Sequence, residues 1–586
     1  MKHEKVSPGL LTAWDAFQSE GRSGLIPHTQ VMGLFSAEES PKPPRTVVFL
    51  HCAPDARLDH LDQYGVRVNQ DAGGVRTAFL PLEALDAISE DPSVDRIVES
   101  RYLRLLMDVA PGAVKLPAFL TGTGAGLTGA GVVIGTVDTG IDPNHPEFVG
   151  RILRIWDQTL PGPGVPEGTY GAELTGPLLT VSRDTEGHGT HVAGIAAGAH
   201  GVYGGVAPGA QLVIVKSDLQ DAHIADGIRY IFRVAHDLGR PAVVNLSLGG
   251  HWDAHDGTDS LSQIVDAESG QGRIVCCAAG NEGNDNIHAQ TVMPANTSRT
   301  VRFRVPASSA GNATRSVVLN GWYPGNDHME VSIASPGGFF TPYQAVIAAG
   351  QPLRIYNLPD ARVRVITPGP DPANGDHNFL MQISAAGGSS APVTAGIWKL
   401  RLRTASIPGG GRVNVWCIDD GQRLDAIFTG TSVQDRVKVG SPGAATSAVT
   451  VASYTTKVQW IDIDLVPRQV GLAPNTISDF SSEGPRRDGA QKPDVTAPGA
   501  MIVSALSADS LVKRSNMATT QHLVMAGTSM ATPFITGLVA LLLQRQPTLG
   551  PAAIKALLRN HSHVPGSPAG SFDPKWGFGL IDATNV

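Results

Sequence analysis

Three short segments of the chain carry residue types that could cooperate in acyl transfer. Asp138 follows the apolar run GVVIGTV, His188 lies between two glycines in GHGTHVAG, and Ser529 stands in GTSMATP ahead of an apolar helical pattern. A serine hydroxyl is a weak nucleophile that needs a neighbouring base, and a histidine base is in turn oriented by a carboxylate. Ser529, His188 and Asp138 are therefore candidates for a nucleophile, its base and the group that orients the base.

Each of these residues also has a simpler interpretation when it is taken alone. An aspartate after a strand commonly caps a turn, and a serine at the start of a helix is a favourable N-cap. The spacing of His188 and His191 suggests metal ligation, but HGTH lacks the glutamate of the H-E-x-x-H zinc motif. The combination of the three segments, in this order, is what carries the specific signal.

Together, VDTGID, HGTHVAG and GTSMATP resemble the motifs of the subtilisin-like serine proteases, the subtilase family. The order Asp, His, Ser is one of several unrelated orders in which the same triad occurs, and it is the order of this family. The resemblance covers residues 110–287 and 437–586. It implies a serine endopeptidase that hydrolyses peptide bonds through an acyl-enzyme, with Asp138, His188 and Ser529 as its catalytic triad.

Two other functions remain open. The chain could be a dedicated processing protease with one protein target, or a regulatory binding protein on a protease fold that works through a β-rich insertion. The intact set of Asp138, His188, Ser529 and Asn281 favours an active enzyme whose partners are protein or peptide substrates.

The resemblance also implies an oxyanion hole and a substrate site. Asn281, in AAGNEG, and the backbone N–H of Ser529 would stabilise the oxyanion. A substrate strand would add to the edge after a buried strand, and small residues would line an open specificity pocket that prefers large apolar side chains. The substrate-binding residues implied are Ser247, Leu248 and Gly249 at the edge, Ala278, Ala279 and Gly280 at the wall, and Gly440 at the floor.

The elements that position these residues follow an α/β pattern. Near-continuous apolar runs alternate with helical patterns, which predicts a doubly wound parallel sheet covered on both faces. The predicted strands are 131–137, 211–215, 242–248 and 273–279, followed later by 444–452, and the predicted helices are 190–198, 223–238 and 532–546.

Residues 288–436 interrupt this rhythm with short strands between Gly, Pro, Asn and Ser turns. This pattern predicts an inserted β-sandwich of jelly-roll type. The insertion could bind a substrate, a carbohydrate or a partner, or it could stabilise the enzyme. Its predicted strands are 300–305, 314–319, 329–333, 344–348, 362–367, 378–384, 397–403 and 412–418.

The N-terminal region has the order β-α-β-β-α-β, which is typical of a ferredoxin-like α+β unit. The family resemblance implies a propeptide that assists folding and acts as an intramolecular inhibitor of the zymogen, with self-cleavage between Leu105 and Ala110. A permanent domain of the mature enzyme is the alternative. The predicted elements are 46–52, 56–64, 66–70, 75–80, 81–90 and 96–102, and the predicted domains are 1–107, 108–287, 288–436 and 437–586.

Composition excludes several other classes of protein. The 586 residues carry a net charge of −8, which argues against a nucleic-acid partner, and only 17% of them are charged against roughly 25% in an average domain. The longest strongly apolar stretch, 534–543, is too short to span a membrane, and the N-terminus has no apolar signal region. We therefore expect a cytoplasmic protein in which the four cysteines are small buried hydrophobes.

The chemistry of a serine protease requires no cofactor. The family resemblance implies structural calcium near Glu147, where an aspartate ligand is common, and in the loop AHGVYGG after the histidine helix. That loop lacks the oxygen-bearing side chains expected there, and calcium needs six to eight oxygens. A structural calcium is therefore possible, but the sequence supplies no clear ligand set.

Overall fold

The computed structural model describes residues 1–25, 28, 34–35, 44–100, 104–105, 112–308, 313–387, 391–418 and 426–586. The chain forms two compact units, each made of two separate segments. One unit contains Met1–Tyr102 and Asp285–Asp435, and the other contains Leu103–Asn284 and Arg436–Val586. The sequence places divisions at 107, 287 and 436, but it does not predict that the N-terminal region groups with the insertion.

The unit made of Leu103–Asn284 and Arg436–Val586 is built on a large mixed sheet. Its central strands are parallel, whereas the strands at both edges pair antiparallel with their neighbours. The predicted parallel sheet is therefore present at the centre but wrong at the edges, where neighbouring strands run in opposite directions. The strands of this sheet are Val133–Asp138, Ile152–Asp157, Ala172–Leu174, Gln211–Lys216, Ala242–Leu246, Arg273–Ala278, Val449–Thr455, Thr476–Ile477, Val495–Ala505, Met517–Thr519, His522–Ala526, Ser562–His563 and Leu580–Ile581.

Helices cover both faces of this sheet. Every residue of Val133–Asp138 is buried, as expected for a parallel strand between two helical layers. Thr528–Arg545 packs with His188–Ala197 and lies on the central strands, and Asp221–Asp237 also packs against this sheet. The α-helices of the unit are Leu116–Thr121, His188–Ala197, Asp221–Asp237, Ser260–Glu268, Thr528–Arg545 and Pro551–Asn560, and its 3₁₀ turns are Gly112–Val114, Pro146–Phe148, Gly176–Val181, Arg514–Asn516 and Ala583–Asn585.

Two further two-stranded ladders complete this unit. Arg104–Leu105 pairs with Leu248–Gly249, and Gln459–Ile461 pairs with Pro467–Gln469. Among the described residues, no helix is both long enough and apolar enough to cross a membrane.

The insertion consists of two antiparallel sheets, one of six and one of five strands. Alternate residues of each strand point into a common core that includes Phe303, Trp398 and Phe428. All eight predicted strands are present with shifted ends, and His288–Val292, Leu353–Leu358 and Ile427–Thr429 were missed. The other strands are Ser298–Val305, Ser316–Tyr323, Met329–Ala334, Gln344–Ala345, Ala361–Ile366, His377–Ser384, Gly396–Thr404 and Arg412–Ile418.

The N-terminal region has an antiparallel sheet in which the strands lie in the order Arg67–Val68, Val75–Pro81, Arg45–His51, Arg96–Glu99. The predicted helix 56–64 is a 3₁₀ segment, because only Asp59–Tyr64 is helical before Gly65 adopts a left-handed conformation. The other elements here are Pro8–Glu20, Leu85–Glu90, the strand Leu34–Phe35 and the 3₁₀ turns His3–Lys5, Gly21–Leu25 and Leu82–Ala84. The end of predicted strand 96–102 lies outside the described residues.

Candidate active site

Asp138 and His188 meet at the carboxyl end of a central strand. Asp138 is the last residue of Val133–Asp138, and its Oδ1 lies 2.7 Å from Nδ1 of His188. The Asp138 side chain is fully buried and that of His188 is 1% exposed. Oδ1 also accepts the backbone N–H of Thr139 at 2.8 Å, which fixes the carboxylate relative to the strand. The imidazole is thus held by a carboxylate that is itself immobilised.

Two glycines flank His188 because the chain comes close to a neighbouring loop. Gly187 has φ +83°, a conformation that residues with a side chain rarely adopt. A Cβ on Gly189 would lie 2.1 Å from the carbonyl oxygen of Gly140. The helix can therefore begin against the loop after Asp138 only if both positions are glycine.

Asp184 fixes the first turn of the same helix. Its Oδ1 accepts the N–H of Gly187 at 2.8 Å, and its Oδ2 accepts the N–H and the hydroxyl of Thr190 at 2.9 and 2.6 Å. A carboxylate that satisfies the free N–H groups at a helix N-terminus stabilises that end. Asp184 is a positioning residue that our sequence reasoning missed, although an aspartate ahead of the helix in DTEGHG was a visible capping signal.

Ser529 lies in the first turn of Thr528–Arg545 and is buried. Its hydroxyl donates to the carbonyl oxygen of Ser247 at 3.0 Å, and the Ser247 hydroxyl donates to the Ser529 carbonyl oxygen at 2.6 Å. The reciprocal bonds tie the start of this helix to the first residue of the predicted substrate edge. The helix N-terminus also places a partial positive charge beside the hydroxyl.

Asn281 is oriented by the residue before Ser529. Its Oδ1 accepts the backbone N–H of Thr528 at 2.9 Å and the Thr528 hydroxyl at 3.0 Å. Because the carbonyl end of the amide is occupied, the NH₂ end is directed away from Thr528. Glu282 adds a second restraint, since its Oε2 accepts the backbone N–H of Asn281 at 2.8 Å and the hydroxyl of Ser482 at 2.9 Å.

The predicted substrate edge is paired with another segment of the chain. Leu248 lies opposite Leu105, and Gly249 lies opposite Arg104, in an antiparallel ladder. An extended peptide bound to an exposed strand edge uses the same main-chain pairing. Ser247, the residue before Leu248, is bonded to Ser529, so this ladder lies next to the serine in sequence and in space.

The pocket segments also come together. Gly250 donates its N–H to the carbonyl oxygen of Ser441 at 3.0 Å, which joins the substrate edge to the loop of Gly440. A Cβ on Gly440 would lie 2.0 Å from the Gly250 carbonyl oxygen, so only glycine fits this position. A Cβ on Gly443 would lie 2.9 Å from the Ala278 carbonyl oxygen. The predicted pocket wall, residues 278–280, therefore lies against the loop that contains Gly440. Ala278 and Ala279 of this wall are buried.

Glu147 belongs to a separate cluster with two histidines. Candidate ligand atoms of Glu147, His200 and His522 lie within 4.8 Å of one another, and Glu147 Oε1 is 2.8 Å from His522 Nε2. The two imidazoles do not fit calcium, which prefers oxygen ligands. Nδ1 of His200 accepts the N–H groups of Val202 and Tyr203, so the proton of the neutral ring is on Nε2, and this ring presents no free lone pair to a metal.

Comparison with known proteins places this geometry in a family. The sequence profile of the subtilase family, Peptidase_S8, matches residues 129–354 and 401–579, which is more than half of the chain. The chain belongs to the subtilase family. The unmatched residues 355–400 fall within the β-rich insertion of this subtilase.

Individual relatives agree with this assignment. Serine protease AprX of Bacillus subtilis is 25% identical over 490 residues, which cover 81% of this chain and 70% of AprX. Subtilisin NAT of Bacillus subtilis subsp. natto is 30% identical over 310 residues, which cover 50% of this chain and 72% of that protein. The solved structure of the Clostridium perfringens CspB protease has a TM-score of 0.65 at 23% identity, covering 80% of this chain and 97% of CspB, and this likeness shows the fold. This subtilase is a subtilisin-like serine endopeptidase.

Proposed function

We propose that Asp138, His188 and Ser529 form the catalytic triad of this endopeptidase. The observation that carries the proposal is the 2.7 Å contact between the buried Asp138 carboxylate and Nδ1 of His188. With Nδ1–H donating to Asp138, Nε2 of His188 has the lone pair that takes the Ser529 proton as Oγ attacks the scissile carbonyl. The imidazolium then protonates the leaving amine, and the acyl-enzyme is hydrolysed by water along the reverse route.

In the same proposal, Asn281 and the Ser529 backbone N–H stabilise the oxyanion. Thr528 occupies the carbonyl end of the Asn281 amide, so the NH₂ end is preorganised before substrate arrives. Preorganised donors cost no reorganisation in the transition state, which is why they are effective in a water-poor site.

We also propose that the N-terminal region is an inhibitory propeptide of ferredoxin-like fold and that the insertion is a jelly-roll-like sandwich. The pairing of Arg104–Leu105 with the substrate edge supports an inhibitory role, because a substrate strand would require the same N–H and C=O groups. The predicted cleavage window from Leu105 to Ala110 lies, apart from Leu105, outside the described residues.

The self-cleavage bond in this proposal lies between Leu105 and Ala110. The large apolar residues at the start of this window, from Leu105 to Met107, agree with the proposed preference for large apolar residues in a pocket lined by Ala278, Ala279, Gly280 and Gly440. Catalysis requires no cofactor, and the donor atoms around Glu147 do not favour structural calcium.

Two measurements test the proposal. A fluorophosphonate probe is expected to label the enzyme at Ser529 and to leave Ser529→Ala unlabelled; labelling of both would contradict the assignment of the nucleophile. Mass spectrometry of the purified enzyme is expected to show a new N-terminus between Leu106 and Ala110 in the active protein, and an intact Met1 in Ser529→Ala. An intact Met1 together with full activity would rule out self-processing, and peptide-library profiling separates broad specificity from a single target.

A further inference from the structure

The N-terminal helix and the insertion share a partly buried set of charges. Arg362 and Arg364 lie on the strand Ala361–Ile366, and both contact Glu20, the last residue of the helix Pro8–Glu20. Arg364 also lies 3.6 Å from Asp15 of the same helix. The Arg364 side chain is only 7% exposed, whereas its two acidic partners are 22% and 30% exposed.

A second pair joins the same two regions with the opposite polarity. Arg96, in the N-terminal sheet, donates to Oδ2 of Asp371 in the insertion at 2.5 Å. These side chains are 18% and 11% exposed. The N-terminal region supplies anions at one place and a cation at the other, so the two surfaces match in only one orientation.

Without the acidic residues of the helix Pro8–Glu20, the neighbouring charges of Arg362 and Arg364 would be unfavourable in the folded insertion. Arg362 and Arg364 are two residues apart on a strand, so their side chains leave the sheet on the same face. Burial lowers the pKa of both guanidinium groups, and the charge of Arg364 lowers the pKa of Arg362 further. Two neighbouring buried cations are costly unless anions compensate them.

The helix end is complementary in charge. Pro8–Glu20 has no basic residue in its last turn, although the negative end of a helix dipole normally favours one. Asp15 and Glu20 add negative charge to that end instead. His28 is buried near Arg364 and stays neutral, because burial, with a further contribution from that arginine, lowers its pKa to about 3. The cationic strand thus meets an anionic helix end with no additional positive charge from the histidine.

We propose that the insertion is a docking domain that keeps the N-terminal domain bound after the chain between them has been cut. That the bound N-terminal domain inhibits the enzyme rests on the proposed function, whereas its remaining bound does not. In a self-processed enzyme, inhibition would persist until the Asp15, Glu20 and Arg96 contacts break.

The test uses the full chain with Ser529→Ala and a recognition sequence for a site-specific protease inserted between Arg101 and Tyr102. Cutting at this site separates the N-terminal domain from the strand Arg104–Leu105, so retention no longer depends on that ladder, and the variants below report on the contacts with the insertion. After cutting, we expect the N-terminal fragment to co-elute with the remainder in size-exclusion chromatography at about 0.1 M salt and to dissociate faster as salt rises. Immediate separation of the two fragments, with Arg362 and Arg364 unchanged, overturns the proposal.

Arg362→Gln/Arg364→Gln should release the fragment roughly a hundredfold faster. The matched control is Arg302→Gln/Arg304→Gln, two exposed arginines with the same spacing on another strand of the insertion, Ser298–Val305, and it should behave as the parent does. The charge reversal Asp15→Arg/Glu20→Arg combined with Arg362→Glu/Arg364→Glu should restore retention. Unchanged release in the double glutamine variant, or no restoration by the reversal, refutes docking by these charges. Because Ser529→Ala cannot cut itself, failure of self-processing leaves this result unaffected.

Discussion

Two asparagines, one in each compact unit, are held in the same way but face different surroundings. Oδ1 of Asn281 accepts two hydrogen bonds from Thr528, and Oδ1 of Asn320 accepts from Trp322 Nε1 and Asn378 Nδ2, both at 2.9 Å. Asn320 is 2% exposed between strands of the sandwich, whereas Asn281 is half-buried beside Ser529. The same restraint therefore orients a proposed oxyanion donor in one unit and a buried packing residue in the other.

This contrast extends to the polar residues around each asparagine. In the unit that contains Asn281, two bonded pairs lie at the ends of strands and helices: Asp138 with His188, and Ser247 with Ser529. In the insertion, buried polar side chains also join the two sheets, as Gln344 of one sheet does by donating to the hydroxyl of Thr367, which follows a strand of the other, at 2.8 Å. Substitutions in the first unit should therefore reduce turnover at nearly constant stability, and those in the second should reduce stability at nearly constant turnover.

The largest expected effect is that of Ser529→Ala. Removal of the proposed nucleophile should lower kcat by roughly 10⁶-fold, because the other triad members have no acyl acceptor to activate. Hydrolysis of a peptide with a large apolar residue before the scissile bond gives the measurement. The thermal unfolding midpoint serves as the control, and a midpoint shifted as strongly as that of a core variant would remove the contrast between the two units.

Asp138→Asn should lower kcat by about 10⁴-fold. An amide at this position favours the wrong imidazole tautomer, while the side-chain volume at the strand end hardly changes. Steady-state kinetics should show the loss in kcat with little change in KM. An increase in KM alone would indicate that Asp138 shapes the substrate site and does not orient His188.

Asn281→Ala and Asn320→Ala test the opening comparison directly. The first should lower kcat by about 10²–10³-fold through loss of an oxyanion donor. The second leaves the Trp322 and Asn378 donors without their buried acceptor, which should cost about 1–3 kcal/mol of unfolding free energy and leave kcat unchanged. Equal losses of kcat in both variants would show that the two units are not functionally separable.

These two classes of residue also differ in how well the sequence predicts them. The catalytic candidates are short motifs in which glycine is required by close contacts, as at Gly189 and Gly440, so the spacing is visible in the sequence. Glu282 was missed because its role depends on the backbone N–H group from which it accepts a hydrogen bond, which a sequence pattern does not show, whereas Asp184 was missed although its place ahead of the helix is a capping signal. The α/β core followed from continuous apolar strands, whereas the antiparallel edges and the pairing of Arg362 and Arg364 with Glu20 depend on long-range contacts.

Trp398→Ala isolates the role of the sandwich core. The indole is fully buried and stacks on Phe303 at a ring distance of 6.2 Å. Its removal should lower the free energy of unfolding by about 3–5 kcal/mol, through lost burial and a residual cavity. Chemical denaturation measures this cost, and kcat of the folded fraction should remain within about twofold because no catalytic residue belongs to this core.

The smallest expected effect is a loss of unfolding free energy at acid pH in the unit that contains His191. His191 is buried in the histidine helix with Nε2 3.1 Å from the Leu523 carbonyl oxygen, and burial is the main cause that lowers its pKa to about 3. An unfolded histidine titrates near 6.5, so the unfolded state binds more protons between pH 6.5 and 3, and this group's contribution to stability is lost as pH falls through that range. At pH 5 the loss should be about 2 kcal/mol. His191→Gln, which cannot titrate, should show a weaker dependence of unfolding free energy on pH between 7 and 5 than the parent; parallel pH profiles would mean that other groups govern acid unfolding of this unit.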